Sequence, residues 1–156
     1  MLEVDIPGFG ALQLEHLVSD FTGTLSVDGH LLPGVGELLD LLSAPLTIHV
    51  LSADTFGRVH EELAGRPCTV TVLSGQNLDL QKEQYVLALN ADRVVAIGNG
   101  ANDRRMLRVS RLGIAVLESE GCAIDAMLNA DILVRSIHEG LLLLLNPLRI
   151  AATLKA

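Results

Sequence analysis

The amino-acid sequence predicts an α/β fold: one domain built on a mostly parallel β-sheet with helices on both faces. Two observations carry this expectation. First, apolar runs with strand character alternate with helically spaced segments from end to end. Parallel strands joined by crossover helices produce that pattern. Second, the chain has 156 residues, of which 49% are hydrophobic and 19% charged, so it can bury a core and is too apolar for disorder. No linker, repeat or low-complexity segment interrupts residues 1–156, so a single domain is expected.

The elements follow in order. Leu2 to Ile6 alternates and reads as a short strand, Pro7-Gly8-Phe9-Gly10 is turn-rich, and Ala11 to Val18 follows as one strand. Residues 1–18 are thus expected to form an N-terminal β-hairpin whose second strand runs straight into Asp20. Asp28-Gly29, set between Leu25-Ser26-Val27 and His30-Leu31-Leu32, signals a small hairpin flap. Val35 to Leu42 has helical spacing, with apolar residues at 35, 38, 39 and 42. Leu46 to Leu51 is a strand ending at Ser52-Ala53-Asp54-Thr55, and a helix is expected from about Thr55 to Leu63, capped by Asp54 or Thr55. Thr69–Leu73, Arg93–Ile97, Leu112–Leu117 and Ala130–Val134 read as strands. Leu78–Leu89, Asn102–Val109, Cys122–Leu128, Ser136–Leu145 and a segment from Pro147 onward read as helices, with Leu78, Tyr85 and Leu89 turned inward. The leucines from Leu141 to Leu145 cover every side of a helix, so some must be buried in the core or at a homo-oligomer contact.

Composition narrows the partners. A net charge of -8 argues against nucleic acid, whose phosphates need basic patches. Aromatic residues make up only 3%, with no Trp, so no platform for stacking bases is visible. A small phosphate ligand stays compatible with that charge. Cys68 and Cys122 lack CxxC or metal-type spacing and read as buried free thiols of a reducing compartment. The N-terminus shows no signal-peptide pattern, and the longest apolar run, Gly140 to Leu145, is far too short for a bilayer. A cytoplasmic location without a membrane partner is therefore expected. His16, His30, His49, His60 and His138 lack ligand spacing and read as surface or core residues; His30, in the flap, is the one placed to approach Asp20.

The chemistry is concentrated at strand ends. In Val18-Ser19-Asp20-Phe21-Thr22-Gly23-Thr24-Leu25 a strand delivers Asp20 into a turn that Gly23 can shape. Ser52 follows the second core strand, and Lys82 lies near the start of the helix after the third. Asn99, Asn102 and Asp103 follow the fourth, in Gly98-Asn99-Gly100-Ala101-Asn102-Asp103. In a parallel sheet these ends share one edge and can meet in one cleft. Taken singly, each is an ordinary turn or surface residue. Taken together, they permit phosphoryl transfer through an aspartyl phosphate, with a divalent cation offsetting the repulsion between carboxylate and phosphate.

The D-x-T-G-T-L stretch resembles the first motif of the haloacid dehalogenase (HAD) superfamily, and more closely that of its P-type ATPase branch. Ser52, Lys82 and the G-N-G-A-N-D run are similar to the second, third and fourth motifs, in order, over nearly the whole chain. The resemblance implies a HAD-like Rossmannoid three-layer sandwich. It implies no cap domain, because the flap is short and only Ser74-Gly75-Gln76-Asn77 separates the third strand from the next helix. It implies a Mg2+-dependent phosphohydrolase acting on a phosphorylated substrate, of the soluble P-type ATPase-like group. Asp20, Thr22 and Lys82 are then catalytic. Ser52, Ala53, Lys82 and Asn102 bind the substrate phosphate, and Asp20, Thr22 (through its carbonyl), Asn99 and Asp103 hold the metal.

Two departures from the family pattern matter. Most HAD phosphatases carry an acid-base Asp where this chain has Thr22, which implies slow turnover. Asn99 replaces a metal-binding Asp, which removes one charge and implies weaker metal binding. Two alternatives stay open: a non-catalytic phosphate-binding or regulatory protein, and an ATPase-like phosphotransfer module working with a separate nucleotide-binding chain. Nothing in the chain would hold adenine. An open site admits bulky substrates or needs a neighbouring subunit to cover it. Arg104 and Arg105 read as solvated helix positions within reach of a substrate anion.

Overall fold

The computed structural model describes residues 1–53 and 56–156. In chain order the elements are β1 (Leu2–Ile6), β2 (Gly10–Leu14), β3 (His16–Asp20), β4 (Ser26–Val27), β5 (His30–Leu31), α1 (Val35–Leu42), β6 (Thr47–Ser52), α2 (Val59–Glu62), β7 (Thr69–Val72) and α3 (Leu78–Ala88). There follow β8 (Val94–Gly98), α4 (Arg104–Val109), β9 (Leu112–Val116), α5 (Ile124–Leu128), β10 (Ile132–Val134), α6 (Ile137–Leu145) and α7 (Pro147–Leu154). A six-stranded sheet in the order β10-β9-β8-β3-β6-β7 forms the middle layer, and every pairing in it is parallel. The expected α/β sandwich is thus the observed architecture.

The sheet is buried on both faces. Leu17, Ile48, Val95, Ile97 and Ile114 pack with residues of α1, α6 and α7 on one side. Val18, Leu51, Val94 and Ala96 pack with Val86 of α3 and with Met106 and Leu107 of α4 on the other. Adjacent residues of one strand therefore enter different cores, as a buried parallel strand requires.

One strand expectation needs correcting. Ala11 to Val18 is not a single strand, because the chain changes sheets at Glu15. Strands β1 and β2 form a separate two-stranded sheet, with Leu2 opposite Leu14. At Glu15 the N–H donates to the Arg93 carbonyl (2.8 Å) and the carbonyl accepts from Thr47 N–H (2.8 Å), which brings the chain into the main sheet. The alternation of buried Leu12 and Leu14 stops there, and from Leu17 to Asp20 every residue is buried.

Other elements agree with the sequence to within a residue or two, with three differences. The helix expected over 55–63 is observed as Val59–Glu62, and its expected caps Asp54 and Thr55 lie outside the described residues. On α3 the fully buried line is Lys82 and Val86, whereas Leu78, Tyr85 and Leu89 are half-buried. Cys68 and Cys122 are free thiols, but half-buried rather than buried. In α6, Ser136 Oγ accepts the Glu139 N–H (3.1 Å) as an N-cap. Leu141 and Leu144 enter the core, which accounts for the leucine run without a second chain.

The flap is a tight hairpin, with φ of 53° at Asp28 and 81° at Gly29, the geometry a two-residue turn needs. It is tied on both sides. Asp28 N–H donates to Glu120 Oε2 (3.1 Å), and Leu31 N–H donates to Glu62 Oε2 (2.9 Å). His30 turns to Glu62, with its Nδ1 3.3 Å from Oε1, and not to Asp20. No cap is inserted in the flap or between β7 and α3. Among the described residues no single helix is long and apolar enough to cross a membrane.

Candidate active site

Strand β3 carries Asp20 to the carboxyl edge of the sheet, where it is 7% exposed. Its neighbours are set by register. Asp20 lies opposite Leu51, so the buried Ser52 is one residue further along β6, with the exposed Ala53 after it. On the other side, Ser19 lies opposite Ile97, so β8 ends at Gly98 and the Asn99–Asp103 loop begins beside the β3 turn.

Lys82, on the second turn of α3, is 1% exposed and organises the site. Its Nζ donates to Asp20 Oδ1 (2.8 Å), Asp103 Oδ1 (2.7 Å) and Asn102 Oδ1 (3.1 Å), so its three protons meet three oxygens. Burial alone would lower its pKa, but the two carboxylates outweigh burial and hold it above the ordinary lysine value. Asp20 is pushed up to about 6, first by burial and then by Asp103, with Lys82 and Thr24 pulling the other way.

Asp103 is fully buried and both of its oxygens accept hydrogen bonds. Oδ1 takes Lys82, and Oδ2 accepts the N–H groups of Asn99 (3.1 Å) and Gly100 (2.9 Å). It orients the lysine and staples the loop that carries Asn99. Gly98 makes this close approach possible: a Cβ there would lie 2.5 Å from Asp103 Cγ. Gly98→Ala is expected to cost about 1–3 kcal/mol, as overpacking does, and urea unfolding measures it.

The sequence reading gave Thr24 no role, although it lies in the same motif as Asp20. It is fully buried, and its hydroxyl lies 3.0 Å from Asn99 Oδ1 and 3.3 Å from Asp20 Oδ2. One proton thus serves two acceptors and links the two loops. Asn99 Nδ2 donates to the Gly121 carbonyl (3.1 Å), a bond that an Asp could not make. Gly23, at φ +80°, lets Asn99 pack close, since a Cβ there would be 2.6 Å from Nδ2. Thr22 is half-buried in the turn and its backbone bridges to Ser26.

The donors suit a hard divalent cation. The Asp20 carboxylate, Asn99 Oδ1 and the Thr22 carbonyl offer oxygens on two adjoining loops, and Asp20 is the carboxylate with an oxygen held by neither lysine nor backbone N–H. Among the described residues, no three Asp, Glu, His or Cys side chains gather to hold a metal. The set fits Mg2+ through one carboxylate and neutral oxygens. Arg104 and Arg105 are engaged elsewhere: both pair with Asp79 (2.8 and 3.0 Å), and Arg105 also pairs with Glu83 (3.1 Å), tying α4 to α3.

No protein-family model matches the sequence. A Streptomyces avermitilis protein described as a HAD family hydrolase superposes with a TM-score of 0.66 at 20% identity, covering 85% of this chain and 84% of that one. The fold is the HAD hydrolase fold. A second HAD-fold neighbour is the 3-deoxy-D-manno-octulosonate 8-phosphate phosphatase of Moraxella catarrhalis, in complex with magnesium, phosphate and the sugar acid (TM-score 0.62, 16% identity, 90% of this chain and 93% of that one). A zinc-transporting PIB-type ATPase matches over 78% of this chain and 20% of its own length (TM-score 0.63, 18% identity). By sequence, an uncharacterized protein of Methanocaldococcus jannaschii is 44% identical over 61 residues, which span 39% of this chain and 66% of that relative.

Proposed function

We propose that this chain is a capless phosphohydrolase of HAD type, which cleaves a phosphate monoester through an aspartyl phosphate on Asp20. The observation that carries the reading is the buried Lys82, which holds Asp20 Oδ1 at 2.8 Å and leaves Oδ2 to attack. In the first step Oδ2 forms a bond to phosphorus as the ester P–O bond breaks. The leaving alkoxide takes its proton from water, because the Thr22 hydroxyl is no acid near neutral pH. In the second step water attacks phosphorus, the acyl phosphate P–O bond breaks, and the Asp20 carboxylate returns. Lys82 stays charged throughout and, with Ser52 and Asn102, faces the phosphate oxygens. Mg2+, held by Asp20, Asn99 and the Thr22 carbonyl, would neutralise the repulsion between carboxylate and phosphate. Phosphate release from a panel of monoesters, with Mg2+ and with EDTA, tests the reading; silence across the panel from folded protein overturns it.

Turnover is expected to be limited by loss of the aspartyl phosphate. Thr22→Asp supplies the missing acid-base group and should raise steady-state phosphate release by roughly 100-fold, the lower end of the range for such catalysis. Rapid-quench kinetics would show the gain in the dephosphorylation step; an unchanged rate would mean that Thr22 is not what slows the enzyme.

Thr22 and Asn99 together favour one second reading, a phosphate-binding regulatory protein without useful turnover. Beryllium fluoride separates the two. An intact nucleophile site binds it with Mg2+ and a decayed one does not.

A further inference from the structure

Asn99 is gripped by both its backbone and its side chain. Its N–H donates to Asp103 Oδ2 (3.1 Å), its carbonyl accepts the Ala123 N–H (2.7 Å), and its Nδ2 donates to the Gly121 carbonyl (3.1 Å). The last bond decides something the others do not. An amide side chain turned over about its Cβ–Cγ bond exchanges its oxygen for its nitrogen with almost no change of shape, so its partners fix which way it lies. The Thr24 hydroxyl, 3.0 Å away, can donate to the amide oxygen or accept from the amide nitrogen, and either orientation satisfies it. The Gly121 carbonyl can only accept, so it demands the nitrogen. It thereby turns Asn99 Oδ1 toward Thr24, whose hydroxyl also lies 3.3 Å from Asp20 Oδ2.

The turn that supplies this carbonyl is anchored in the core. Gly121 N–H donates to the Glu118 carbonyl (2.8 Å) and closes the turn. Leu117 N–H donates to the Val134 carbonyl (3.0 Å) at the end of β10, and Glu118 Oε1 accepts the Ile137 N–H (2.8 Å) at the start of α6. Through Glu120 the same turn also latches the flap at Asp28. Gly121 has φ +83°, in the left-handed region. A Cβ there would meet nothing within 4 Å among the described residues. Glycine is therefore required at 121 by the backbone angle and not by space, and that angle sets the course of the chain from which the carbonyl projects.

We propose that the turn of residues 118–121 is a positioning element for the cation site: the Gly121 carbonyl keeps the amide oxygen of Asn99, and not its nitrogen, on the side of Asp20. The inference rests on the proposed role of Asn99 as a cation ligand. A hard divalent cation takes oxygen donors, and an amide NH2 has only protons to offer it. Asn99 is then more than an Asp that has lost its charge. An Asp in its place would set a carboxylate oxygen against the Gly121 carbonyl, two acceptors with no proton between them.

Calorimetric titration of Mg2+ into two variants of the full chain tests the proposal. Asparagine tolerates the left-handed region, as Asn77 (φ 59°) and Asn90 (φ 68°) do in this chain, whereas a β-branched residue does not. Gly121→Asn should therefore bind Mg2+ within about twofold of the wild type. Gly121→Val, at unchanged circular dichroism, should bind it about 10- to 100-fold more weakly, the usual loss when a partner that orients a metal ligand is removed. A second measurement needs no metal and no change at 121. In EDTA an Asn99 side-chain amide proton, assigned by its loss in Asn99→Ala, should exchange with water at least about tenfold more slowly than those of the exposed Asn77. Mg2+ binding that Gly121→Val leaves unchanged, or that Gly121→Asn weakens equally, would overturn the inference and leave the cation site standing. So would an Asn99 amide that exchanges as fast as that of Asn77. Wild-type protein that binds no Mg2+ would overturn the cation site itself, and this inference with it.

Discussion

Replacing Asp20 by Asn is expected to lower Mg2+-dependent phosphate release by about 10⁴-fold or more, because it removes the nucleophile rather than a supporting contact. The substitution is close to isosteric, and the amide oxygen can still accept from Lys82, whose second carboxylate, Asp103 at 2.7 Å, is untouched. The protein should therefore fold, with an unfolding midpoint near that of the wild type. That separates loss of chemistry from loss of structure. Denaturing gels of protein quenched with labelled substrate add a second readout, since the acid-stable phosphoprotein band should vanish in the variant. Retained turnover would move the chemistry to another residue.

Lys82→Met is expected to have two large effects. Activity should fall by about 10²- to 10³-fold, the usual loss when a preorganised charge partner of the reacting group is removed. Stability should fall by about 3–5 kcal/mol, because Asp20 and Asp103 are left buried and facing each other without a cation. The pH dependence gives this claim a sign. The folded-state pKa of Asp20 is already raised from 3.8 to about 6, and loss of Lys82 raises it further. A carboxyl with a folded pKa above its unfolded one binds its proton more tightly in the folded state. The penalty is therefore full above the folded pKa and shrinks as pH falls toward 3.8. Lys82 itself, raised above the ordinary lysine value, stays charged throughout the pH range used. Urea unfolding in EDTA should show a gap between variant and wild type that is widest at pH 8 and narrower at pH 5. A gap independent of pH would mean that lost packing of the lysine stem, and not the stranded carboxylates, sets the cost.

The parts of this molecule that were legible in advance share a physical cause. Helices and strands of the main sheet are marked by apolar periodicity, and Asp20, Ser52, Lys82 and Asn99 are placed by parallel topology, which carries strand ends to one edge. What was hidden depends on three dimensions. The break at Glu15 escapes because Leu12 to Val18 reads as one strand in sequence while the side chains change partners in space. The buried residues on α3 were misjudged because a lysine in a helix is usually solvated, and only two carboxylates, one from β3 and one from the loop after β8, offset the cost of its burial. Asp103 looks like any acidic loop residue until the N–H groups of Asn99 and Gly100 are seen to fill its free oxygen. The role of Thr24 needs both loops at once. The exposure of Ile124 and Leu128 on α5 cannot be read from a five-residue helix, which has too few turns to show which side is covered.

The strand order also sets when the site can come into being. Strand β3 is made early but lies between β6 and β8, so a growing chain that has reached α3 still shows one side of its central strand unpaired. The nucleophile waits for a lysine 62 residues further along. At a synthesis rate of about 5–20 residues per second, the wait between Asp20 and the end of β8 is roughly 4–15 seconds. During that interval the nascent protein exposes the backbone edge it can least leave bare. A chaperone that shields strand edges should therefore matter most to this protein on the ribosome, before β8 exists to pair with the open side of β3.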